Sequence, residues 1–367
     1  MSNLDTGIKN VKNVLGFNIG FGSITGLFEI LEPLRARGGP VVVYIDEFFE
    51  NTNNSLLDKL NLDESDIIIF VNTSIEPTTD YIDQCVIDLK FNGIMNPSAI
   101  VGIGGGITLD VGKAVANIMA NGGLAEDYQG WDLLKKPAIF KVGIPTLSGT
   151  GAEATRTCVM TNKKSGLKLG MNSDYTVYDR IIMDPDLTES VPRHQYFFTG
   201  MDAYIHCVEA LSGSYRNAIG DAFSRETINL CRAVFNSKDM KTAENREKLM
   251  VASYLGGCSI ATSYVGIIHP FSAGLSVVLG IHHCVANCIV MRAMEEFYPA
   301  AFKEFWSMAN MQGIEIPIGI CRDLTDQQYN DLYDATIVHE KPLTNALGED
   351  FKKILDKDKV IEIFKKM

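Results

Sequence analysis

Four stretches in the first half of the chain are apolar at nearly every position and stop at turn-forming residues. They are GPVVVYIDE (39–47), DIIIFVN (66–72), SAIVGIGGG (98–106) and PAIFKVGIPT (137–146). Short apolar runs without polar alternation are the pattern of strands buried on both faces. Between them, 54–61, 79–92 and 110–121 have the length and spacing of helices. Strands alternating with helices predict a parallel sheet covered on both faces, whose ligands gather at the carboxyl ends of the strands. After DPDLTESVPRHQ (184–195) the strand pattern fades. FFTGMDAYIHCVEALSG, IGDAFSRETINLCRAVFNS, NREKLMVASYLGGCSIATSYVG and the tail EDFKKILDKDKVIEIFKKM read as helices with Gly or Asn near their ends. The expected organisation is an α/β domain with a parallel, Rossmann-like sheet over 1–190 and an all-helical domain over 191–367.

Composition narrows the partners. The chain has 367 residues, enough for two ordinary domains, with 46% hydrophobic and 21% charged residues, as in a soluble globular protein. A net charge of −12 argues against a nucleic-acid partner or an anionic membrane surface. No apolar stretch approaches the roughly 18 residues of a membrane span, and the first residues lack the pattern of a secretory signal. Eight cysteines (85, 158, 207, 231, 258, 284, 288 and 321) are scattered and never form CxxC. A reduced, cytoplasmic protein with buried thiols is expected.

VGIGGGITLDVGKAVA places Gly102, Gly104, Gly105 and Gly106 after a strand and before a helix. Consecutive glycines let backbone N–H groups approach a phosphate, and the helix dipole favours the anion. A tight strand-to-helix connection is the alternative, and the spacing is neither GxGxxG nor GxxxxGK[ST]. Asp46, ending VVVYID, is placed either to accept hydrogen bonds from an adenosine ribose, which favours NAD over NADP, or to cap the next helix. GIPTLSGTGAEAT (143–155) offers the hydroxyls of Thr146, Ser148 and Thr150, to line a cofactor or to cap a helix.

HPFSAGLSVVLGIHH (269–283) holds three of the six histidines. A continuous helix would separate His269 from His283 by about 21 Å, whereas ligands of one metal stand about 2 Å from it. If the two share an ion, the helix must break between them, and Gly280 is well placed for the break. GMDAYIHCVEA puts Asp202 and His206 four apart on one helical face, as a ligand pair or as a surface hydrogen-bonded pair. One Asp and three His make an N/O site suited to Fe²⁺ or Zn²⁺ with an open position. Cys207 and Cys284, next to two of these histidines, point elsewhere on a helix and read as packing residues.

GGGITLDVGK, PTLSGTGAE and GMDAYIHCVEA, followed by the histidine pair, occur in the order and spacing that resemble the iron-containing (group III metal-dependent) alcohol dehydrogenases. The resemblance implies an N-terminal NAD(P)-binding domain, a helical metal-binding domain and a homodimer. It matches Asp202, His206, His269 and His283 to the metal ligands and Gly105, Gly106, Ile107 and Asp110 to the pyrophosphate turn. Thr146, Leu147 and Thr150 match the second cofactor loop, Lys168 a lysine near the nicotinamide ribose, and Asp46 the acidic residue that favours NAD.

The departures are informative. Ala273 stands where such proteins commonly carry a second histidine near the nicotinamide, while His282 and Arg292 stand at usual proline positions. His282 is therefore a candidate proton relay. The histidine segment looks most like the branch that oxidises the C8 hydroxyl of 3-deoxy-D-manno-octulosonate, which implies a sugar-acid substrate, lipopolysaccharide biosynthesis and a pathway link to a pyridoxal-phosphate aminotransferase. Arg156 and Arg292 are candidates to meet the carboxylate of a sugar acid. Competing readings are a dehydrogenase or reductase of a small alcohol, diol or lactaldehyde, a non-redox enzyme of the dehydroquinate-synthase type, or a non-catalytic protein acting by assembly.

Overall fold

The structure, a computed structural model, describes residues 12–36, 38–50 and 56–367. The described chain divides into two compact units. One comprises Lys12–Leu147 and Ala152–Ser190, and the other comprises Ser148–Gly151 and Val191–Met367.

The first unit is built on nine strands: β1 (Gly16–Ile19), β2 (Val41–Asp46), β3 (Ile67–Val71), β4 (Ala99–Gly104), β5 (Gly130–Trp131), β6 (Lys141–Pro145), β7 (Thr157–Asn162), β8 (Leu167–Asn172) and β9 (Arg180–Met183). Six form a parallel sheet in the order β1-β9-β6-β4-β2-β3, and β5-β8-β7 form a small second sheet. Helices α1 (Leu27–Arg35), α2 (Leu56–Lys59), α3 (Thr79–Phe91) and α4 (Gly106–Asn121) connect the strands. The start of the expected 54–61 helix lies outside the described residues.

The continuous apolar runs reflect burial on both faces of the sheet. Val42 and Tyr44 of β2 enter one core with Ile82, Val86 and Leu89 of α3 and Val111 and Val115 of α4. Val41, Val43 and Ile45 enter the opposite core with Leu27, Leu31 and Leu34 of α1. β2, β3, β4 and β6 are the four expected strands, each a few residues shorter than its apolar run. β1, β5, β7, β8 and β9 are further strands, whose apolar runs are short or broken by polar residues.

The second unit is helical, starting with α5 (Arg193–Ser212), α6 (Ala218–Phe235), α7 (Ala243–Thr262), α8 (Ile268–Leu279) and α9 (His283–Met291). The expected parallel α/β half followed by a helical half is the observed architecture. Ser148–Gly151 joins the helices because Gly149 approaches α5 and Gly151 approaches α7. A β-carbon on Gly149 would lie 1.6 Å from the Thr199 carbonyl oxygen, and Gly151 N donates to Ser253 Oγ at 3.3 Å. All eight cysteines are buried and unbridged. Among the described residues, no helix is long and apolar enough to cross a membrane.

Candidate functional site

Every residue of α5 from Tyr196 to Ala210 is buried, so the helix is enclosed by its neighbours on all sides. Asp202 and His206 are consequently interior, with His206 Nε2 3.5 Å from Asp202 Oδ1. α8 brings His269 Nε2 to 3.4 Å from the same oxygen. α8 ends at Leu279, where Gly280 adopts φ +68°, the left-handed conformation that glycine tolerates best. The chain turns there and α9 opens at His283, whose Nε2 comes 3.8 Å from Asp202 Oδ2. The break sets the His269 and His283 ring centroids 5.3 Å apart.

One ligand atom each from Asp202, His269 and His283 lies within 4.8 Å of the other two. Two imidazole nitrogens and a carboxylate oxygen converging this way form the donor chemistry of Fe²⁺ or Zn²⁺, so these residues fit a divalent cation. His206 stands beside the trio, stacked on His269 with centroids 4.6 Å apart.

The electrostatics follow from burial and mutual contact. Burial alone would raise the Asp202 carboxyl, but His206, His283 and His269 outweigh it and hold the group well below the usual carboxylate range. Burial lowers His206 to about 4, which keeps its imidazole neutral. Burial opposes charge on His269 too, yet the Glu209 and Asp202 carboxylates prevail and push it up to about 9.

Four neighbours of the trio are further parts of the centre. Asp202 Oδ1 accepts from Asn287 Nδ2 at 2.6 Å, and Oδ2 accepts from the Cys284 thiol at 3.6 Å. Ser272 Oγ lies 3.4 Å from His283 Nδ1, and Glu209 contacts His269 Nδ1. Sequence reasoning passed over Ser272, Glu209 and Asn287 and read Cys284 as packing alone. The available signal was spacing, since Glu209 extends the Asp202–His206 face at i+7 and Asn287 follows His283 at i+4.

In the α/β unit, β4 runs into Gly104, and Gly105 is the N-cap of α4 with no side chain capping the first turn. The amides of that turn, including those of Gly106 and Ile107, lack intrahelical partners. A β-carbon on Gly105 would meet Leu147 Cδ1 at 2.7 Å, and Thr146 N donates to Gly104 O at 3.0 Å. A bare, uncapped helix start fits a pyrophosphate. Asp110, one turn into α4, accepts from Val159 N at 2.9 Å. Burial, partly offset by Lys113 and that amide, pushes its carboxyl up to about 6.

The other predicted residues have partners of their own. Asp46 Oδ1 accepts from Phe48 N at 3.0 Å and from Thr73 Oγ1 at 3.2 Å, so Asp46 caps a short 3₁₀ turn. Lys168 is buried with Nζ 3.1 Å from Glu76 Oε1. Thr150 belongs to the tetrapeptide grouped with the helical unit. His282 is exposed at the N-cap of α9, where its side chain caps nothing, and Ala273 is buried on α8 one turn from His269. Arg156 is ion-paired with Asp132 and Asp174 at 2.6 and 3.1 Å. Arg292 donates to Ile316 O at 2.9 Å and lies over the Trp306 ring. Both guanidiniums are thus already engaged within their own units.

Residues 17–185 match the family model for iron-containing alcohol dehydrogenase, and residues 197–332 match the Fe-containing alcohol dehydrogenase family C-terminal model. The chain is 33% identical over 220 residues to a sulfoacetaldehyde reductase of Bilophila wadsworthia, a match covering 59% of this chain and 56% of that protein. It is 30% identical over 280 residues to an NAD-dependent methanol dehydrogenase of Bacillus methanolicus, covering 74% of this chain and 71% of that protein. The fold is shared with 1,3-propanediol oxidoreductase (TM-score 0.82, 20% identity, 97% of this chain and 98% of that one). It is shared also with sulfoacetaldehyde reductase from Bifidobacterium kashiwanohense in complex with NAD⁺ (TM-score 0.77, 22% identity, 97% of each chain). On these matches, the chain belongs to the iron-containing alcohol dehydrogenase family.

Proposed function

We propose that this protein is an NAD-dependent, metal-assisted alcohol dehydrogenase that oxidises a primary alcohol to an aldehyde, yielding NADH and a proton. The observation that carries the reading is the convergence of Asp202, His269 and His283 within 4.8 Å. A divalent cation held there supplies Lewis acidity that lowers the pKa of an alcohol, and the nicotinamide accepts the hydride. Asp202, His269 and His283 hold the cation, with His206 as a fourth donor beside them. Gly105, Gly106 and Ile107 present backbone amides to the cofactor pyrophosphate, with Asp110, Thr146, Leu147, Thr150 and Lys168 around it and Asp46 reading the ribose. His282, exposed beside the ligand His283, relays the released proton. The two domains proposed are residues 1–190 and 191–367, and the assembly proposed is a homodimer in the cytoplasm.

For the substrate, the departures in the histidine segment favour the C8 hydroxyl of 3-deoxy-D-manno-octulosonate. Ala273 puts a methyl group where an imidazole is usual, one turn from His269, which frees volume for a polyhydroxylated substrate. The C8 hydroxyl lies at the opposite end of the carbon chain from the carboxylate, so the acid end is read away from the metal. Arg156 and Arg292 would have to leave their present partners to meet it. An aldehyde product of this kind suits a following aminotransferase. A small alcohol or aldehyde is the second reading, favoured by the similarity to methanol dehydrogenase and sulfoacetaldehyde reductase.

NADH formation at 340 nm with Fe²⁺- or Zn²⁺-loaded protein, across octulosonate, methanol, ethanol and 1,3-propanediol, tests both readings. Turnover restricted to the short alcohols would remove the sugar-acid assignment. No metal-dependent turnover with any of these, nor reduction of the matching aldehydes by NADH, would count against the dehydrogenase.

A further inference from the structure

Glu209 is buried, where a polar group is costly unless it is hydrogen-bonded. Each of its two oxygens has a partner. Oε1 accepts the backbone N–H of Ile268 at 2.5 Å, and Oε2 contacts His269 Nδ1. Tyr298 closes the pocket on the other side, its hydroxyl 3.3 Å from Ile267 N. A β-carbon on Gly266 would lie 2.5 Å from that hydroxyl and 3.3 Å from Glu209 Oε1, so only glycine fits between them.

From this geometry we infer that Glu209 is the positioning residue of the metal centre: it fixes the orientation of the His269 ring and, through the Ile268 amide, the start of the helix that carries it. The inference rests on the metal-centre reading above. A carboxylate at Nδ1 holds the proton on that nitrogen, so the Nε2 lone pair is directed toward Asp202 and His283. The same carboxylate anchors the amide at the start of α8, so ring and helix are located together. His283 Nδ1 faces the hydroxyl of Ser272 at 3.4 Å.

Glu209→Gln separates this role from packing. It preserves the size and one acceptor, but offers only one acceptor oxygen to two donors and removes the charge. Metal-stripped full-length protein would be titrated with Co²⁺ and Zn²⁺ in competition with a chelator, and the Co²⁺ absorption spectrum recorded. Expected is a 10- to 100-fold weaker affinity for both ions and a shifted Co²⁺ spectrum. Glu209→Asp, which keeps the charge but withdraws it by one methylene, should lose the spectral signature as well and serves if the glutamine variant does not fold. Wild-type affinity and an unchanged spectrum in either variant would overturn the inference, provided His269→Ala loses the metal. If His269→Ala also binds at wild-type affinity, the metal-centre reading itself fails.

Discussion

His283 Nε2 lies 3.8 Å from Asp202 Oδ2, which docks the first residue of α9 onto the middle of α5. His283→Ala removes one of the three converging ligand atoms while α9 keeps its start. The bound metal measured on the purified protein should fall well below one equivalent. Turnover should drop by on the order of 10³-fold, the equivalent of several kcal/mol of charge stabilisation. Full metal occupancy in the variant would exclude His283 as a ligand.

Gly149 packs against the backbone at Thr199. Gly149 has φ +151°, and a β-carbon there would stand 1.6 Å from the Thr199 carbonyl oxygen. Gly149→Ala therefore forces the Ser148–Gly151 segment away from α5. It should cost at least about 3 kcal/mol, read as a lowered urea midpoint. An unchanged midpoint would show that the loop relaxes freely.

Asp46 both caps a turn and supplies a carboxylate at the end of β2. Asp46→Ser keeps an N-cap acceptor and removes the charge that repels a 2′-phosphate. The ratio of kcat/KM for NADP⁺ over NAD⁺ should rise roughly tenfold or more with little change in thermal midpoint. If the ratio stays put, Asp46 is a cap and nothing else.

Asp110 sets a pH dependence. Its carboxyl is pushed up to about 6 in the folded protein from an ordinary value of 3.8, because burial disfavours the charged form. Between those values the folded state binds more protons than the unfolded state, so this group's contribution to stability falls as pH rises through that window. The penalty is complete above about pH 6 and absent below about pH 4. Asp110→Asn keeps the acceptor for Val159 N and removes the charge. It should stabilise by up to about 3 kcal/mol at pH 7 and by little at pH 4, as read from denaturant midpoints at the two pH values. An equal effect at both would assign the change to packing.

His282 is exposed beside His283. As a proton relay it should cost about 10²-fold in kcat when replaced by alanine, with the metal content unchanged and activity partly restored by added imidazole. Undiminished kcat would leave the proton to water and the cofactor hydroxyls.

Much of this was legible before folding because it is local. An apolar run such as VVVYID specifies a strand buried on both faces, and glycines after a strand specify a bare turn. Asp202, His206 and Glu209 share a helical face by spacing alone, and Gly280 marks the break that lets His269 and His283 meet. Each of these depends on backbone geometry within a few residues. What encloses α5 does not. Its burial turned the Asp202–His206 pair from a possible surface contact into an interior pair that His269 and His283 approach. Similarly, contact with α5 and α7 placed Ser148–Gly151 among the helices rather than with the sheet that precedes them. The partners of the imidazole nitrogens, Glu209 for His269 and Ser272 for His283, and the engagement of Arg156 and Arg292, were set by packing between segments apart in the chain. Local periodicity states which way a side chain points from its own helix, and only the assembled core determines what it meets there.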